Sequence, residues 1–190
     1  IRDAGVRGPL FAIGFSLGGN ALLKLLAETG DASPIDAGVA VSTPFDLAAC
    51  ARALDAPWGN GAIYRREFLR TLRRKALRKL REHPACGLSA DAVRRSRTFH
   101  AFDDAFTAPS NGYHDADDYY ARASSGPLLD RIRRPVLCIA AEDDPMVPVE
   151  TLPGHTPNPA VQLLRTRQGG HVGFLAGSLV QGSQQAIAAT

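Results

Sequence analysis

The stretch from Leu10 to Leu26 constrains the fold of this chain more than any other. The short apolar run Leu10–Ile13 is typical of a buried strand, and Ala21–Leu26 has the apolar spacing of a helix. Between them lies Gly14-Phe15-Ser16-Leu17-Gly18. A serine in the pattern G-x-S-x-G, between a strand and a helix, is typical of a nucleophile elbow, a tight turn with an exposed hydroxyl at its tip.

The flanking glycines have a physical role in such a turn. We expect side chains at positions 14 and 18 to collide with the neighbouring strand and helix, so Gly14 and Gly18 keep the turn tight. Ser16 is then a candidate nucleophile, and the backbone N–H of Leu17 is a candidate donor to an oxyanion. The alternative is a glycine-rich turn with an incidental serine. An acid and a base further along the chain would decide between the two.

The composition is that of an ordinary globular protein. The 190 residues are 45% hydrophobic and 22% charged, which is enough for one domain with a sizeable core. A net charge of +3 is too mild to indicate nucleic-acid binding. The three cysteines, Cys50, Cys86 and Cys138, form no metal-binding pattern, so we expect neither a metal nor a cofactor. Their spacing weakly favours a reducing, cytoplasmic compartment.

No apolar run reaches the roughly 18 residues that a membrane-spanning helix needs. The chain begins with Ile1 rather than Met, and the first strong element is already the elbow strand. We therefore expect an N-terminal portion to be absent from this sequence.

The order of elements along the chain predicts an α/β fold. Three further apolar runs are typical of strands in a mostly parallel sheet with helices on both faces: Ala37–Ser42, Pro135–Ala141 and Val161–Thr166. The last has the partial alternation of an edge strand. Strand patterns are missing from the middle of the chain. We predict core segments at 1–47 and 128–190, and a helical insertion that forms a cap or lid at 48–127.

Within the insertion, Tyr64–Arg81 has the spacing of one long helix whose remaining faces are rich in arginine and lysine. Such a run is usually a solvated face whose side-chain stems cover apolar surface. The alternative is a surface for anionic head groups or acidic partners, which would give the protein a peripheral membrane contact.

An acid and a histidine follow Ser16 in the order that a Ser-Asp-His triad requires. Asp143 and Asp144 come directly after the strand Pro135–Ala141, and His171 follows the last strand, 27 residues beyond Asp144. Because function gathers at the carboxyl ends of parallel strands, we expect these side chains to meet Ser16. His171 would be the general base, and a carboxylate would fix its tautomer.

Of the two aspartates, Asp144 is preferred as the acid because a rigid proline-rich turn follows it. Asp143 is the alternative acid, or a residue that supports the turn. The remaining histidines lie in the insertion or in loops, and surface or packing roles fit them better: His83, His100, His114 and His155.

At these residues the sequence resembles the YheT-like branch of the α/β-hydrolase superfamily, which includes abhydrolase-domain esterases and lipases. The matching segments run from about residue 10 to 175: Gly14–Asn20, Val41–Leu47, Phe102–Pro109, Asp117–Ser125, Ala141–Pro145 and Gly169–Phe174.

The resemblance implies hydrolysis of carboxylic esters, short-chain or lipid-like, through Ser16, Asp144 and His171 and an acyl-enzyme. It also implies that the insertion lies over the active site. The early strands of this family, and the His-Gly loop that supplies its second oxyanion donor, are absent from this sequence, so we expect the N-terminal strands of the sheet to be missing here. Residues 175–190 lack the charged, aromatic closing helix of this branch. Two other functions stay open at this point: an acyltransferase with the same triad, and a non-catalytic module that binds anionic lipid or an acidic partner through its basic helix.

Overall fold

Four parallel strands form the sheet in the part of the chain that the structure describes. The computed structural model describes residues 5, 7–57, 60–154 and 158–174. Val39 pairs with Ile13 on one side and with Leu137 on the other. The carboxyl ends of all four strands therefore lie at one edge of the sheet, and the predicted parallel α/β arrangement is confirmed. The strands, in spatial order, are β1 (Phe11–Phe15), β2 (Ala37–Val41), β3 (Val136–Ala141) and β4 (Val161–Thr166).

Helix α1 (Leu17–Thr29) connects β1 to β2 and packs against both strands. Leu22, Leu23 and Leu26 are buried on the face that contacts the sheet. Asn20 is also buried on this helix, and its Oδ1 accepts the backbone N–H of Ser125 at 2.8 Å. This bond joins the helix to a residue 105 positions later in the chain.

Strand β1 is less buried than its sequence predicts. Phe11, Ile13 and Phe15 are 67%, 64% and 53% exposed, whereas Gly14 is buried. Because successive side chains of a strand point to opposite faces, α1 covers the face of Gly14 and leaves the three apolar side chains on the other. The strand predicted at 10–13 is therefore confirmed as β1, but the prediction that it is buried is wrong for the described residues, because one of its faces is exposed.

Residues 47–123 form a compact helical unit, and the strands belong to the other unit, which comprises the residues up to Asp46 and from Ser124 onward. The predicted helix Tyr64–Arg81 is confirmed and is longer than expected. The helices of this unit are α2 (Leu47–Asp55), α3 (Asn60–Glu82), α4 (Ala90–Arg95), α5 (Phe99–Phe102), α6 (Ala108–Ser110) and α7 (Ala116–Ala123).

The described residues of the helical unit form two apolar clusters. In one, Leu69, Ala76 and Leu80 of α3 pack with Val93 and Phe102. The other joins α2 to α7 through small side chains and one buried tyrosine: Leu47, Ala51, Ala116, Tyr120 and Ala123. Five of these helices, α2, α3, α4, α5 and α7, therefore contribute buried side chains to the core of the unit.

A half-buried carboxylate links two of the sequence motifs inside this unit. The Tyr120 hydroxyl donates to Asp103 Oδ2 at 2.7 Å. Asp103 begins a π-helical turn, Asp103–Thr107, and burial raises the pKa of its carboxyl above the ordinary value. A hydrogen bond to a buried acceptor offsets part of the cost of desolvating it. The motifs Phe102–Pro109 and Asp117–Ser125 thus meet through this pair.

The two compact units divide the chain at 46/47 and 123/124. The division into core segments at 1–47 and 128–190 and an insertion at 48–127 stays a prediction. The assignment of the helical unit as a cap over the active site stays a prediction. Among the described residues, no helix combines the length and apolarity that crossing a membrane requires.

The buried amide of Asn20 gives a test of how α1 is fixed. We expect Asn20→Ala to lower the free energy of unfolding by about 1–3 kcal/mol, because it leaves the Ser125 N–H buried and unpaired. Asn111→Ala is the control, since its exposed amide donates only to the Thr107 carbonyl, four residues away. Urea denaturation of both variants would measure the difference. Equal losses would contradict this role of Asn20.

Candidate active site

Ser16 lies at the junction of β1 and α1 in a strained backbone conformation. Its φ of 51° and ψ of −126° are rare for a residue with a side chain, and such conformations cost about 1–3 kcal/mol. The Ser16 N–H donates to the Val41 carbonyl at 2.8 Å, and the Ser16 carbonyl accepts the N–H of Gly19 at 2.9 Å. The turn is therefore tied to β2 on one side and to α1 on the other.

Two glycines, Gly14 and Gly19, make this turn possible. Of the predicted pair, Gly14 and Gly18, only Gly14 is one of them. A Cβ at Gly14 would lie 2.7 Å from the Gly19 Cα, so no side chain fits there. A Cβ at Gly18 would meet nothing within 4 Å, so the collision predicted at this position is wrong. The crowded position on the helix is Gly19, where a Cβ would overlap Thr43 Oγ1. A side chain at position 18 would therefore extend into open space, whereas one at position 19 would meet the end of the strand.

His171 lies between the serine and an aspartate. Its Nε2 is 3.0 Å from Ser16 Oγ, and its Nδ1 is 2.9 Å from Asp144 Oδ2 and 3.1 Å from Oδ1. An ionised carboxylate only accepts hydrogen bonds, so Nδ1 carries the proton and Nε2 accepts the hydroxyl of Ser16. The three residues chosen from the sequence thus form one continuous hydrogen-bonded chain.

Asp144 is held in a turn that its own side chain closes. Its Oδ1 accepts the backbone N–H of Met146 at 2.8 Å and that of Val147 at 3.1 Å. The side chain is 1% exposed, against 17% for His171. A buried carboxylate needs several donors, and here backbone N–H groups and the imidazole supply them.

Asp143 contacts the loop that contains His171 but forms no hydrogen bond with the imidazole. Its Oδ1 accepts the N–H of Gly170 at 2.8 Å. Ser42, directly after β2, accepts the N–H of Val172 on its Oγ at 3.1 Å. Both neighbours of His171 are therefore anchored to side chains at the ends of other strands. Gly170 and Val172 have φ values of 52° and 65°, so the loop is tightly bent at both positions.

Ser42 is the residue of this site that the sequence analysis did not identify. Its side chain is buried, and its own φ is 50°. The one signal in the sequence is its place, because it is the first residue after β2 and thus at the same sheet edge as Ser16 and Asp144.

The N–H of Leu17 lies in the first turn of α1, where backbone donors have no partner within the helix. A negative oxygen beside Ser16 would gain from these donors and from the positive end of the helix dipole. The position fits the oxyanion role predicted from the sequence.

The other titratable candidates among the described residues have partners or surroundings of their own. His100 pairs with Asp117 at 3.2 Å, and His114 pairs with Asp115 at 2.7 Å, which raises the pKa of His114 above its usual value. His83 is exposed, and His155 lies outside the described residues. Burial raises the pKa of Cys138 to about 12, which suits a small core side chain. In the described part of the chain, no cluster of three His, Cys, Asp or Glu residues could hold a metal ion.

Comparison with known proteins agrees with this arrangement of elements. A family model described as alpha/beta hydrolase fold matches residues 1–178. The chain is 41% identical to "Putative esterase YheT" of Escherichia coli over 90% of its own length and 51% of that protein. It is 35% identical to "Phospholipase ABHD3" of Mus musculus, covering 89% of this chain and 41% of the relative.

A yeast relative, "Monoacylglycerol lipase" of Saccharomyces cerevisiae, is 32% identical over 86% of this chain and 38% of its own length. The chain thus spans about half or less of the length of each of these relatives.

Gly14 and Gly18 form a matched pair for testing the turn. We expect Gly14→Ala to destabilise the protein by at least about 1–3 kcal/mol, because its methyl group would overlap the backbone of α1. Gly18→Ala should be neutral or stabilise by up to about 1 kcal/mol, since its Cβ meets open space and alanine favours a helix. Thermal or urea unfolding of both variants measures this contrast. A loss at Gly18 as large as that at Gly14 would contradict it.

Proposed function

Because the chain belongs to the alpha/beta hydrolase fold family, we propose that it is a serine hydrolase that cleaves carboxylic esters. The single observation that carries the proposal is the chain of hydrogen bonds from Ser16 Oγ through His171 to Asp144, at 3.0 and 2.9 Å. A serine hydroxyl becomes an effective nucleophile only when a base removes its proton during attack.

In the acylation step, Ser16 Oγ attacks the carbonyl carbon of the ester while His171 Nε2 takes the hydroxyl proton. The resulting imidazolium is stabilised by the buried carboxylate of Asp144 through Nδ1–H. When the tetrahedral intermediate collapses, the bond to the alcohol oxygen breaks, and Nε2–H protonates that oxygen. An alcohol leaves, and the acyl group stays on Ser16.

The developing oxyanion would accept a hydrogen bond from the Leu17 N–H. This donor is preorganised because Ser16 and α1 are fixed before the substrate arrives, so no reorientation is needed during the reaction. Oxyanion holes of this kind use at least two donors, and removing one donor typically costs about 10²–10³-fold in rate. The second donor would come from a His-Gly loop, as the resemblance implies.

Deacylation repeats the same proton movements with water. His171 Nε2 takes a proton from the water molecule as its oxygen attacks the acyl carbon, and Ser16 Oγ leaves with the returned proton. The products are a carboxylic acid and the free enzyme.

The names of the relatives bear on the substrate class. They name a putative esterase, a phospholipase and a monoacylglycerol lipase. We extend this to the present chain as a preference for short-chain or lipid-like acyl esters. The proposal needs no metal or cofactor, since His171 carries out every proton transfer and Asp144 holds and stabilises the imidazole.

Replacement of the nucleophile tests the mechanism directly. Ser16→Ala should lower the turnover of a p-nitrophenyl ester by about 10⁴- to 10⁶-fold, because the triad acts as one unit. It should also abolish labelling by a fluorophosphonate probe. Ser110→Ala, in the helical unit, is the matched control and should retain both activities. Undiminished hydrolysis by Ser16→Ala would refute this mechanism.

The two aspartates have separable roles. Asp144→Asn should lower kcat by about 10⁴-fold, because an amide favours the wrong tautomer of the imidazole. Asp143→Asn should lower it by no more than about tenfold, since the asparagine oxygen can still accept the Gly170 N–H. Steady-state kinetics on both variants, with circular dichroism as a check of folding, measures the difference. An equal or larger loss at Asp143 would reverse the assignment of the acid.

A further inference from the structure

The long helix α3 presents a one-sided array of positive charge. Between Tyr64 and Glu82 it has nine arginines and lysines but only two glutamates. The buried stripe of this helix consists of Leu69, Ala76 and Leu80 and packs inside the helical unit. The apolar face is thus used for folding, and the charged face is left for solvent or a partner.

Three of the nine cations have structural roles. Arg65 donates to the carbonyls of Asp55 and Ala56, and Arg73 donates to those of Leu69 and Ser96. Lys79 lies 5.8 Å from the centre of the Phe106 ring. These side chains hold neighbouring segments of the unit together, as expected for cations whose stems cover a protein surface.

The other six cations are exposed, and we call them the basic surface. Arg70 pairs with Glu67 and Arg78 with Glu82, but all four side chains are 60% exposed or more, so these pairs add little stability. Among the described residues, none forms an ion pair with Arg66, Arg74, Lys75 or Arg81. The members of the basic surface are Arg66, Arg70, Arg74, Lys75, Arg78 and Arg81.

Two aromatic side chains adjoin the basic surface at the start of the helix. Tyr64 and Phe68 are 40% and 42% exposed, and their ring centres are 6.5 Å apart. Exposed aromatic rings beside cations are typical of surfaces that meet a membrane at the head-group level. At a rise of 1.5 Å per residue, Arg66 to Arg81 covers about 22 Å of one straight helix.

We propose that the basic surface docks on the head groups of an anionic phospholipid bilayer, with α3 lying along the membrane. The charges complement lipid phosphates over a flat area rather than in a pocket, and each cation near such a surface strengthens binding about fivefold. The rest of the chain does not share this charge, since the net value for all 190 residues is only +3. Docking goes beyond the proposed hydrolysis and requires none of Ser16, Asp144 and His171.

The test is flotation of the whole chain with phosphatidylcholine vesicles, with and without phosphatidylglycerol. We expect binding only to the anionic vesicles, and we expect high salt to release it, because the Debye length falls to about 3 Å at 1 M. The variant R74Q/K75Q/R78Q/R81Q should lower the partition coefficient by about 100-fold or more.

Two matched controls separate charge from folding. The variant R74K/R78K/R81K keeps the charge and should bind like the parent chain. Removal of four exposed cations from the other unit, in R7Q/R131Q/R133Q/R167Q, should have little effect. Hydrolysis of a soluble p-nitrophenyl ester should be unchanged in the glutamine variant of α3, which distinguishes failed docking from failed catalysis.

Equal binding of neutral and anionic vesicles, or full binding by the α3 glutamine variant, would overturn the proposal. Tighter binding of single-stranded DNA than of anionic vesicles at the same salt concentration would overturn it as well, and would indicate a nucleic-acid surface instead.

Discussion

The close approach of β1 to α1 at Gly14 is the contact on which the candidate active site depends. It allows the chain to reverse within a few residues, and it forces Ser16 into a conformation that few residues with side chains adopt. The hydrogen bond from the Ser16 N–H to the Val41 carbonyl offsets part of this strain. The hydroxyl is thereby fixed at the edge of the sheet where β2 and β3 also end.

The elements that follow simple periodic patterns were predictable from the sequence. The strands β2, β3 and β4 and the long helix α3 all lie within a few residues of their expected bounds. The order serine, acid, histidine at three strand ends was sufficient to select Ser16, Asp144 and His171, and the structure brings them within hydrogen-bond distance. The parallel topology explains why this order is informative. Residues that directly follow parallel strands lie at one edge of the sheet, however far apart they are in sequence.

What could not be predicted depends on contacts between distant residues. The apolar pattern of β1 does not reveal whether one face or both are covered, so its exposure was missed. The glycine pattern does not reveal that Thr43 crowds position 19 rather than 18. Ser42 reaches Val172 across 130 positions of sequence, and nothing local to either residue signals that bond. The basic helix shows the same limit, since only the structure separates its three structural cations from the six exposed ones.

The anchoring of the histidine loop has an entropic consequence. The imidazole lies between Gly170 and Val172, whose N–H groups are accepted by Asp143 and Ser42 from the ends of β3 and β2. The position of the base is therefore set by the sheet and not by the loop that contains it. In the proposed mechanism, the freedom that His171 would otherwise lose on reaching the transition state is already lost when the protein folds, so it would not add to the activation barrier of each turnover.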